Sequence, residues 1–361
     1  MKILHLESGR HLYGGPRQVG YLINGLADHG IENLLVCRER HVLAEEANAR
    51  VFEWRLGGDF DFSLRHRLAQ LIREQSPDVI HVHSRRGADT FGGRGARAAG
   101  VPAVLTRRVQ SAEPGVWLRF KCRPYNAIAA ISVAVRDELT RLGIAGGRVQ
   151  LISSAVDTEL FKPDSAARAT LIDRFDLPSD ALIAGSAAQL IYRKGQDLLL
   201  PLAARLKQTD PSFRLLLFGQ GPMQTQLKRD VARLGLDRHI VFGGFVPEWP
   251  RLLPGLDLLL HPARREGLGA VVLEAMSAGV PVIASAAGGI VDAIEDGIDG
   301  RLVAPDSADD WYSVVRALLR DPDERARLGT AGRRKVESRF TIEKMTESYL
   351  NLYREVVGSA S

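Results

Sequence analysis

The sequence predicts an α/β protein built from two Rossmann-like parallel-sheet domains. Three observations carry this: short apolar strands alternate with amphipathic helical segments from the first residues, the alternation lapses once near the middle, and it then resumes with the same order. A helix between each pair of strands makes the sheets parallel and covers both their faces. The 361 residues, 45% hydrophobic and 25% charged, are enough for two cores.

Taken in order, strands are expected at 2–6, 33–37, 79–83, 103–106, 127–131 and 149–152, with helices at 15–29, 64–74, 92–99 and 133–142 between them. Residues 154–178, with Pro163, Pro178 and weak periodicity, read as the interdomain connection. The second series has strands at 182–187, 214–218, 240–242, 257–261, 281–284 and 300–303, and helices at 198–207, 223–234 and 271–278. The tail, 341–357, opens on the N-cap candidate Thr341 with Glu343 behind it. It sets Met345, Tyr349, Leu352, Tyr353 and Val356 on one helical face that must be buried.

The net charge of +5 is uneven. Residues 1–150 carry 22 Lys/Arg against 15 Asp/Glu and residues 151–361 carry 26 against 28, which is +7 and −2. A basic first half attracts anionic surfaces within a Debye length of roughly 8 Å, so an anionic membrane or an anionic acceptor is expected, against the alternative of simply solvated arginines. No nucleic-acid recognition motif accompanies the charge. No apolar signal segment follows Met1 and no run of about eighteen apolar residues occurs. The expected location is therefore the cytoplasm, extending to the cytoplasmic face of the inner membrane. Cys37 and Cys122 belong to no Cys-x-x-Cys or Cys/His cluster and read as ordinary thiols.

The chemistry concentrates in Arg265-Glu266-Gly267-Leu268-Gly269-Ala270-Val271-Val272-Leu273-Glu274-Ala275-Met276. Gly267 and Gly269 allow positive φ or a close backbone approach, so Glu266 lies in a loop and Glu274 about one turn inside the apolar helix that follows. The first amides of that helix favour phosphate or a sugar oxygen, and a carboxylate beside them accepts from sugar and ribose hydroxyls.

This run, with Gly279-Val280-Pro281-Val282-Ile283-Ala284-Ser285 and Ala287-Gly288-Gly289 after it, resembles the family 4 retaining glycosyltransferases of the GT-B fold, whose motif is two Glu separated by seven residues. The resemblance implies two domains facing across a cleft: an acceptor domain at 1–160, joined by the C-terminal helix 341–361, and a nucleotide-sugar domain at 161–340. It implies that Glu266 and the backbone of Gly267, Leu268, Gly269 and Ala270 hold the donor sugar, and that Glu274 holds the ribose.

Other positions extend this pattern. Ala187 to Gly195 follows the first strand of the second domain, at the edge where open α/β sheets bind ligands. A cation at Lys194 there meets the departing diphosphate. The family has Arg where this chain has Gln189; either Arg193 replaces that charge, or one cation and amides suffice. On the first domain, Tyr13-Gly14-Gly15-Pro16 opens the first helix, and the Gly15 N–H is expected at the diphosphate. It is not Gly-x-Gly-x-x-Gly, which argues against a dinucleotide oxidoreductase.

Asp78-Val79-Ile80-His81-Val82-His83-Ser84 sets two histidines on one face of a strand. His83 is expected to reach the cleft, where the family places a histidine on donor sugar or acceptor. His81 reads as a core-edge imidazole bonded to backbone. No third ligand is apparent in the sequence, so no metal is expected. Thr106-Arg107-Arg108 stands where many relatives have Thr-x-His, which makes Arg107 or Arg108 candidates for an anionic acceptor. Phe245 and Val246, after Gly243-Gly244, occupy the family's nucleobase position, although Phe245 fits a core equally well. Residues 116–121 mix aromatic and basic side chains in a way compatible with insertion at an interface.

The expected reaction is retaining glycosyl transfer from a nucleotide-diphosphate sugar to a saccharide or lipid-linked hydroxyl, without cofactor or metal. Lys194, Glu266 and His83 are the expected catalytic groups, and a lipopolysaccharide-core or other envelope glycan is the first choice of acceptor. A small soluble acceptor, or a sugar-nucleotide 2-epimerase on the same fold, are the alternatives. A two-lobed solute-binding protein would need an export signal.

Overall fold

A computed structural model describes residues 1–9, 14–110, 113–144 and 146–359. The chain divides into two compact units, Met1–Ala155 with Ile342–Ser361, and Val156–Thr341. The first unit runs β1 (Lys2–Leu6), α1 (Gly14–Asp28), β2 (Glu32–Arg38), α2 (Leu43–Glu46), β3 (Arg50–Trp54), α3 (Leu64–Gln75), β4 (Val79–Val82), α4 (Ala88–Ala98), β5 (Ala103–Arg107), α5 (Gly115–Cys122), β6 (Ala127–Ala130), α6 (Val133–Arg141) and β7 (Val149–Leu151). Its seven strands lie in the order β3-β2-β1-β4-β5-β6-β7, all parallel.

The second unit runs α7 (Ala167–Phe175), β8 (Leu182–Ala187), α8 (Leu199–Thr209), β9 (Phe213–Phe218), α9 (Gln224–Arg233), β10 (Ile240–Gly244), α10 (Trp249–Leu252), β11 (Leu258–His261), α11 (Ala270–Ser277), β12 (Val282–Ser285), α12 (Ile290–Ala293), β13 (Arg301–Val303), α13 (Ala308–Arg320) and α14 (Pro322–Arg339). Its parallel sheet has the order β10-β9-β8-β11-β12-β13. The last helix, α15 (Ile342–Gly358), belongs to the first unit.

In each sheet the strand order turns back once, between β1 and β4 in the first unit and between β8 and β11 in the second. At such a switch point the connections leave in opposite directions and open a crevice at the carboxyl ends of the strands. Two apolar layers cover the first sheet. One lies around Leu4, Leu6, Leu68, Ile80 and Val82, and the other around Ile3, Leu22, Val79, Val104 and α15. The face of α15 buries Met345, Tyr349, Leu352, Tyr353 and Val356 as its spacing predicts. Each fully buried apolar side chain of this size contributes on the order of 1.5–3 kcal/mol, so the tail is part of the first core. The fit to α1 is tight: a Cβ on Gly25 would stand 2.3 Å from Thr346 Oγ1.

Eight labelled elements go beyond the sequence expectations: α2, α5, α10, α12 and the four that follow. β3 is an edge strand whose residues, Arg50-Val51-Phe52-Glu53-Trp54, are at best half-buried, so no apolar run announces it. α7 lies inside the stretch read as a connector and buries only Ala167 and Leu171. α13 buries Trp311, Val315, Leu318 and Leu319 behind an acidic first turn. α14 is strongly polar and packs through small residues: a Cβ on Gly329 would stand 2.1 Å from the Gly279 carbonyl oxygen. Close backbone approach does there what an apolar stripe does elsewhere.

Candidate active site

At the switch point of the second unit, the 3-10 turn Tyr192–Lys194 after β8 brings Lys194 Nζ onto Glu266 Oε2. Gly195, at φ +73, makes this turn possible, because a Cβ there would stand 1.9 Å from the Pro262 carbonyl oxygen. His261, the last residue of β11, donates from Nε2 to the same Glu266 oxygen at 3.0 Å, and the Gly267 N–H donates to Oε1 at 3.0 Å. Burial alone would raise the Glu266 carboxyl, but the Lys194 ammonium and the His261 hydrogen bond outweigh it and hold the group far below the usual carboxylate range. Burial likewise pushes His261 below its ordinary value against the pull of Glu266, so it acts as a neutral donor.

Gly269, at φ +85, starts α11 and aims the first turn of that helix at the Glu266 loop. Gly288 lets the next loop close over it: the Glu266 carbonyl oxygen would lie 2.0 Å from a Cβ on Gly288, and it accepts from the Gly289 N–H at 3.3 Å. One turn into α11, Glu274 Oε2 accepts from Trp249 Nε1 at 3.0 Å, and the Trp249 ring packs on Phe218 with centroids 5.0 Å apart. Phe245 is 63% exposed and thus outside the core, whereas Val246 is nearly buried. Gln189 is half-buried and its carbonyl accepts from Gln196 Nε2, while Arg193 is exposed and its carbonyl accepts from the amides of Arg264 and Arg265. Leu268 is buried, and the glycines and Ala270 offer backbone only. The arrangement can hold a diol or sugar at two carboxylates and an anion at Lys194 and the α11 amides.

At the switch point of the first unit, β1 and β4 lead directly into Glu7 and His83. Three histidines lie together there: His5, His81 and His83, with His81 and His83 ring centroids 3.7 Å apart. A third imidazole therefore stands beside the two visible in the sequence. Both ring nitrogens of His81 are taken by the hydroxyls of Tyr353, at 2.6 Å, and Thr106, at 2.7 Å. The expectation of a backbone partner for His81 is thus corrected to two side-chain partners. His5 bonds His83 at 3.0 Å and Asn33 at 3.2 Å. His83, expected at a cleft wall, is only 3% exposed. Burial, with His81, His5 and Arg108 adding to it, holds it well below its ordinary value and hence neutral.

Arg108 lies beside Gly15, whose ideal Cβ would stand 3.7 Å from Arg108 Cδ, so the first turn of α1 meets the stem of this side chain. Gly14 is exposed beside it, and Tyr13 lies outside the described residues. Arg107, expected as an alternative acceptor contact, is instead 1% exposed and pairs with Asp89 at 3.4 Å, where Lys121 joins at 3.2 Å. It alternates with Arg108 across the two sheet faces, and only Arg108 shares a face with α1. His261, Trp249, Glu7, His5 and Asn33 are site residues that the sequence does not flag. The one available signal is that His261 and Glu7 sit at carboxyl ends of strands flanking a switch point, which strand order alone reveals.

Two family profiles match the chain, "Glycosyltransferase Family 4" over residues 13–160 and "Glycosyl transferases group 1" over residues 168–335. A GDP-mannose-dependent alpha-(1-6)-phosphatidylinositol monomannoside mannosyltransferase of Mycolicibacterium smegmatis is 36% identical over 49% of this chain and 49% of its own, so the chain spans about half the length of that relative. A lipopolysaccharide core biosynthesis glycosyltransferase, LpsE of Rhizobium meliloti, is 24% identical over 98% of both chains. The crystal structure of HepE from Anabaena in complex with UDP superimposes with a TM-score of 0.87 over 98% of this chain and 100% of that one, at 21% identity. On the two profiles, and on the fold that the structural likeness shows, this chain belongs to the family 4 glycosyltransferases of the GT-B fold.

Proposed function

We propose that the protein is a retaining glycosyltransferase that moves a sugar from a nucleotide-diphosphate sugar to a hydroxyl of a cell-envelope glycan such as lipopolysaccharide core. The observation that carries this is the Lys194–Glu266–His261 cluster at the start of α11 with Glu274 one turn on. Glu266 and the Gly267 to Ala270 backbone hold the donor sugar, Glu274 the ribose, and Phe245 and Val246 the base. Lys194, Arg193 and helix amides meet the charge of the leaving diphosphate, which is stabilisation of the departing group where charge develops. With that charge met by protein groups and no carboxylate nucleophile assigned opposite the sugar, the reaction needs no metal, and the diphosphate takes the proton of the acceptor hydroxyl as the new bond forms on the same face.

Arg108 and Gly15 of the first unit recognise an anionic portion of the substrates. An envelope acceptor is supported by the full-length likeness to LpsE and by an aromatic and basic stripe on the first unit. In that stripe Phe62 packs edge-on to Phe91 at 5.5 Å, Arg94 lies 3.9 Å over Phe120, and Phe120 stacks on Trp117 at 5.0 Å. Phe62, Trp117 and Phe120 are 68%, 44% and 47% exposed. Exposed rings among arginines suit the headgroup layer of an anionic cytoplasmic leaflet. Among the described residues no helix is long and apolar enough to cross a membrane.

The test is incubation with UDP-, GDP- and ADP-sugars, with and without purified core glycolipid, in the presence of EDTA. Transfer with the anomeric configuration kept supports the reading. An epimerised donor formed without acceptor would replace it by epimerisation, and transfer that stops with EDTA would remove its metal-independent part.

A further inference from the structure

The first unit holds a hydrogen-bonded line of three side chains: Asn33, His5 and His83. Its directions can be worked out atom by atom. Asn33 Nδ2 donates to the carbonyls of Ile23, at 3.1 Å, and Ile31, at 3.3 Å, which fixes the amide with Oδ1 pointing the other way. An amide oxygen only accepts, so the 3.2 Å contact to His5 Nε2 requires a proton on that nitrogen. A neutral imidazole carries one N–H, so His5 Nδ1 is bare and accepts from His83 Nε2 at 3.0 Å. His83 Nδ1 is then also bare. It is an acceptor, inside a residue 3% exposed, and among the described residues no hydrogen-bond partner fills it.

A buried bare nitrogen is costly unless something donates to it. The groups around it fit a ligand hydroxyl. His81, its ring tilted against His83 with centroids 3.7 Å apart, has both nitrogens taken by Tyr353 and Thr106, and a protonated neighbour is unavailable because burial and mutual repulsion keep the rings neutral. Arg108 and Glu7 flank the same strand ends, and Glu7 Oε1 is taken by the Gly9 N–H at 2.6 Å.

We infer that Asn33 and His5 are positioning residues that set the tautomer of His83, so that its Nδ1 accepts a hydrogen bond from a hydroxyl of the saccharide bound by this unit. The inference rests on the glycosyltransferase reading for the identity of the hydroxyl, but the tautomer itself does not. The buried line replaces, for His83, the carboxylate or carbonyl that commonly orients a working histidine.

Long-range nitrogen–proton NMR of uniformly nitrogen-15-labelled full-length protein reads the tautomer of each histidine without substrate. The expected spectrum shows His83 protonated on Nε2 and bare on Nδ1 from pH 8 down to pH 5. Asn33→Leu removes the acceptor of the line, and His5→Phe keeps a flat ring in the stack but removes Nδ1. In either variant the His83 Nδ1 resonance moves toward the protonated position, kcat falls about tenfold, the worth of one neutral hydrogen bond, and nucleotide affinity in the second unit stays within twofold. His83 protonated on Nδ1 in the wild-type protein overturns the inference, and that measurement stands even where a variant fails to fold. A folded variant that loses turnover with the His83 tautomer unmoved also overturns it. If the tautomer moves as expected while no sugar donor supports transfer, the line is established and the glycosyltransferase reading fails on its own.

Discussion

Lys194 and Glu266, 72 residues apart in sequence, form one ion pair with 13% and 10% of their side chains exposed. Each therefore sets the state of the other. Glu266 stays ionised, which makes it an acceptor only, and Lys194 stays fixed on the loop that leads into α11. A pair this buried repays its desolvation only because His261 and the Gly267 amide satisfy the remaining carboxylate lone pairs.

Lys194→Ala leaves Glu266 charged and partly unpaired and removes the cation proposed to meet the leaving group. We expect kcat to drop by about 100-fold, with nucleotide affinity changed less than fivefold, because charge builds at the diphosphate mainly in the transition state. Steady-state kinetics beside calorimetric titration with the nucleoside diphosphate separates the two. Equal losses in both would reassign Lys194 to ground-state binding.

Glu274→Ala is expected to act on binding instead. It removes the carboxylate proposed for the ribose and the 3.0 Å partner of Trp249 Nε1, so nucleotide affinity should fall roughly tenfold, about the worth of one charged hydrogen bond. Trp249→Phe keeps the packing on Phe218 and should reproduce only part of that loss. Tryptophan fluorescence quenching on nucleotide addition gives the affinities.

Gly288→Ala meets two obstacles at once, a positive φ of +57 and a Cβ 2.0 Å from the Glu266 carbonyl oxygen. The second unit should lose about 2–4 kcal/mol, a fall in Tm of several degrees, with turnover impaired beyond the stability loss because the Glu266 loop must move. Calorimetry and kinetics at a temperature where both proteins are folded check this.

The stability of the first unit should decline in mild acid. His5 is pushed down to about 4 by burial, against the pull of Asn33, and His81 and His83 are lowered as well, chiefly by burial. As pH falls below about 6.5 the unfolded chain binds protons that the folded one refuses, so unfolding is favoured progressively until the folded rings also titrate, near pH 4 for His5. The slope is about 1.4 kcal/mol per pH unit for each histidine still neutral. Urea unfolding at pH 7 and pH 5.5 should show the loss, and His5→Phe should shrink it. A flat profile across that range would contradict the burial of neutral rings.

Arg107 and Arg108 should separate cleanly. Arg107→Ala takes from the buried Asp89 one of its two cations, leaving Lys121, and should cost about 1.5–3 kcal/mol of stability. Arg108→Ala should leave Tm within about 1–2 degrees and raise KM for an anionic substrate. Thermal melts and acceptor titrations of the two variants distinguish structural from binding arginine.

Much of the second-unit site was legible because its parts are local. Glu266, the two glycines and Glu274 lie within nine consecutive residues, and their spacing alone puts a loop, a helix start and a carboxylate in register. Lys194 was legible because it follows the first strand of a series. His83 was legible as a strand-end imidazole, but its partners His5 and Asn33 were not, since they meet it only when β1 pairs with both β2 and β4, a relation no local pattern carries. The fate of Arg107 and Arg108 turns on a one-residue alternation at the end of β5, where strand boundaries are hardest to fix. α14 escaped for a different reason: Gly329 and Gly332 pack by being small, and hydrophobic periodicity is blind to glycine.

The closing helix α15 has a consequence for how such a protein can be recombined. Because its Tyr349 and Tyr353 hold Thr106 and His81 from the far end of the gene, no single crossover can exchange the first unit for that of a relative. A functional chimera must inherit two separate coding segments from one parent, and a library shuffled at one breakpoint should be depleted of survivors wherever the two parents differ at that tyrosine pair.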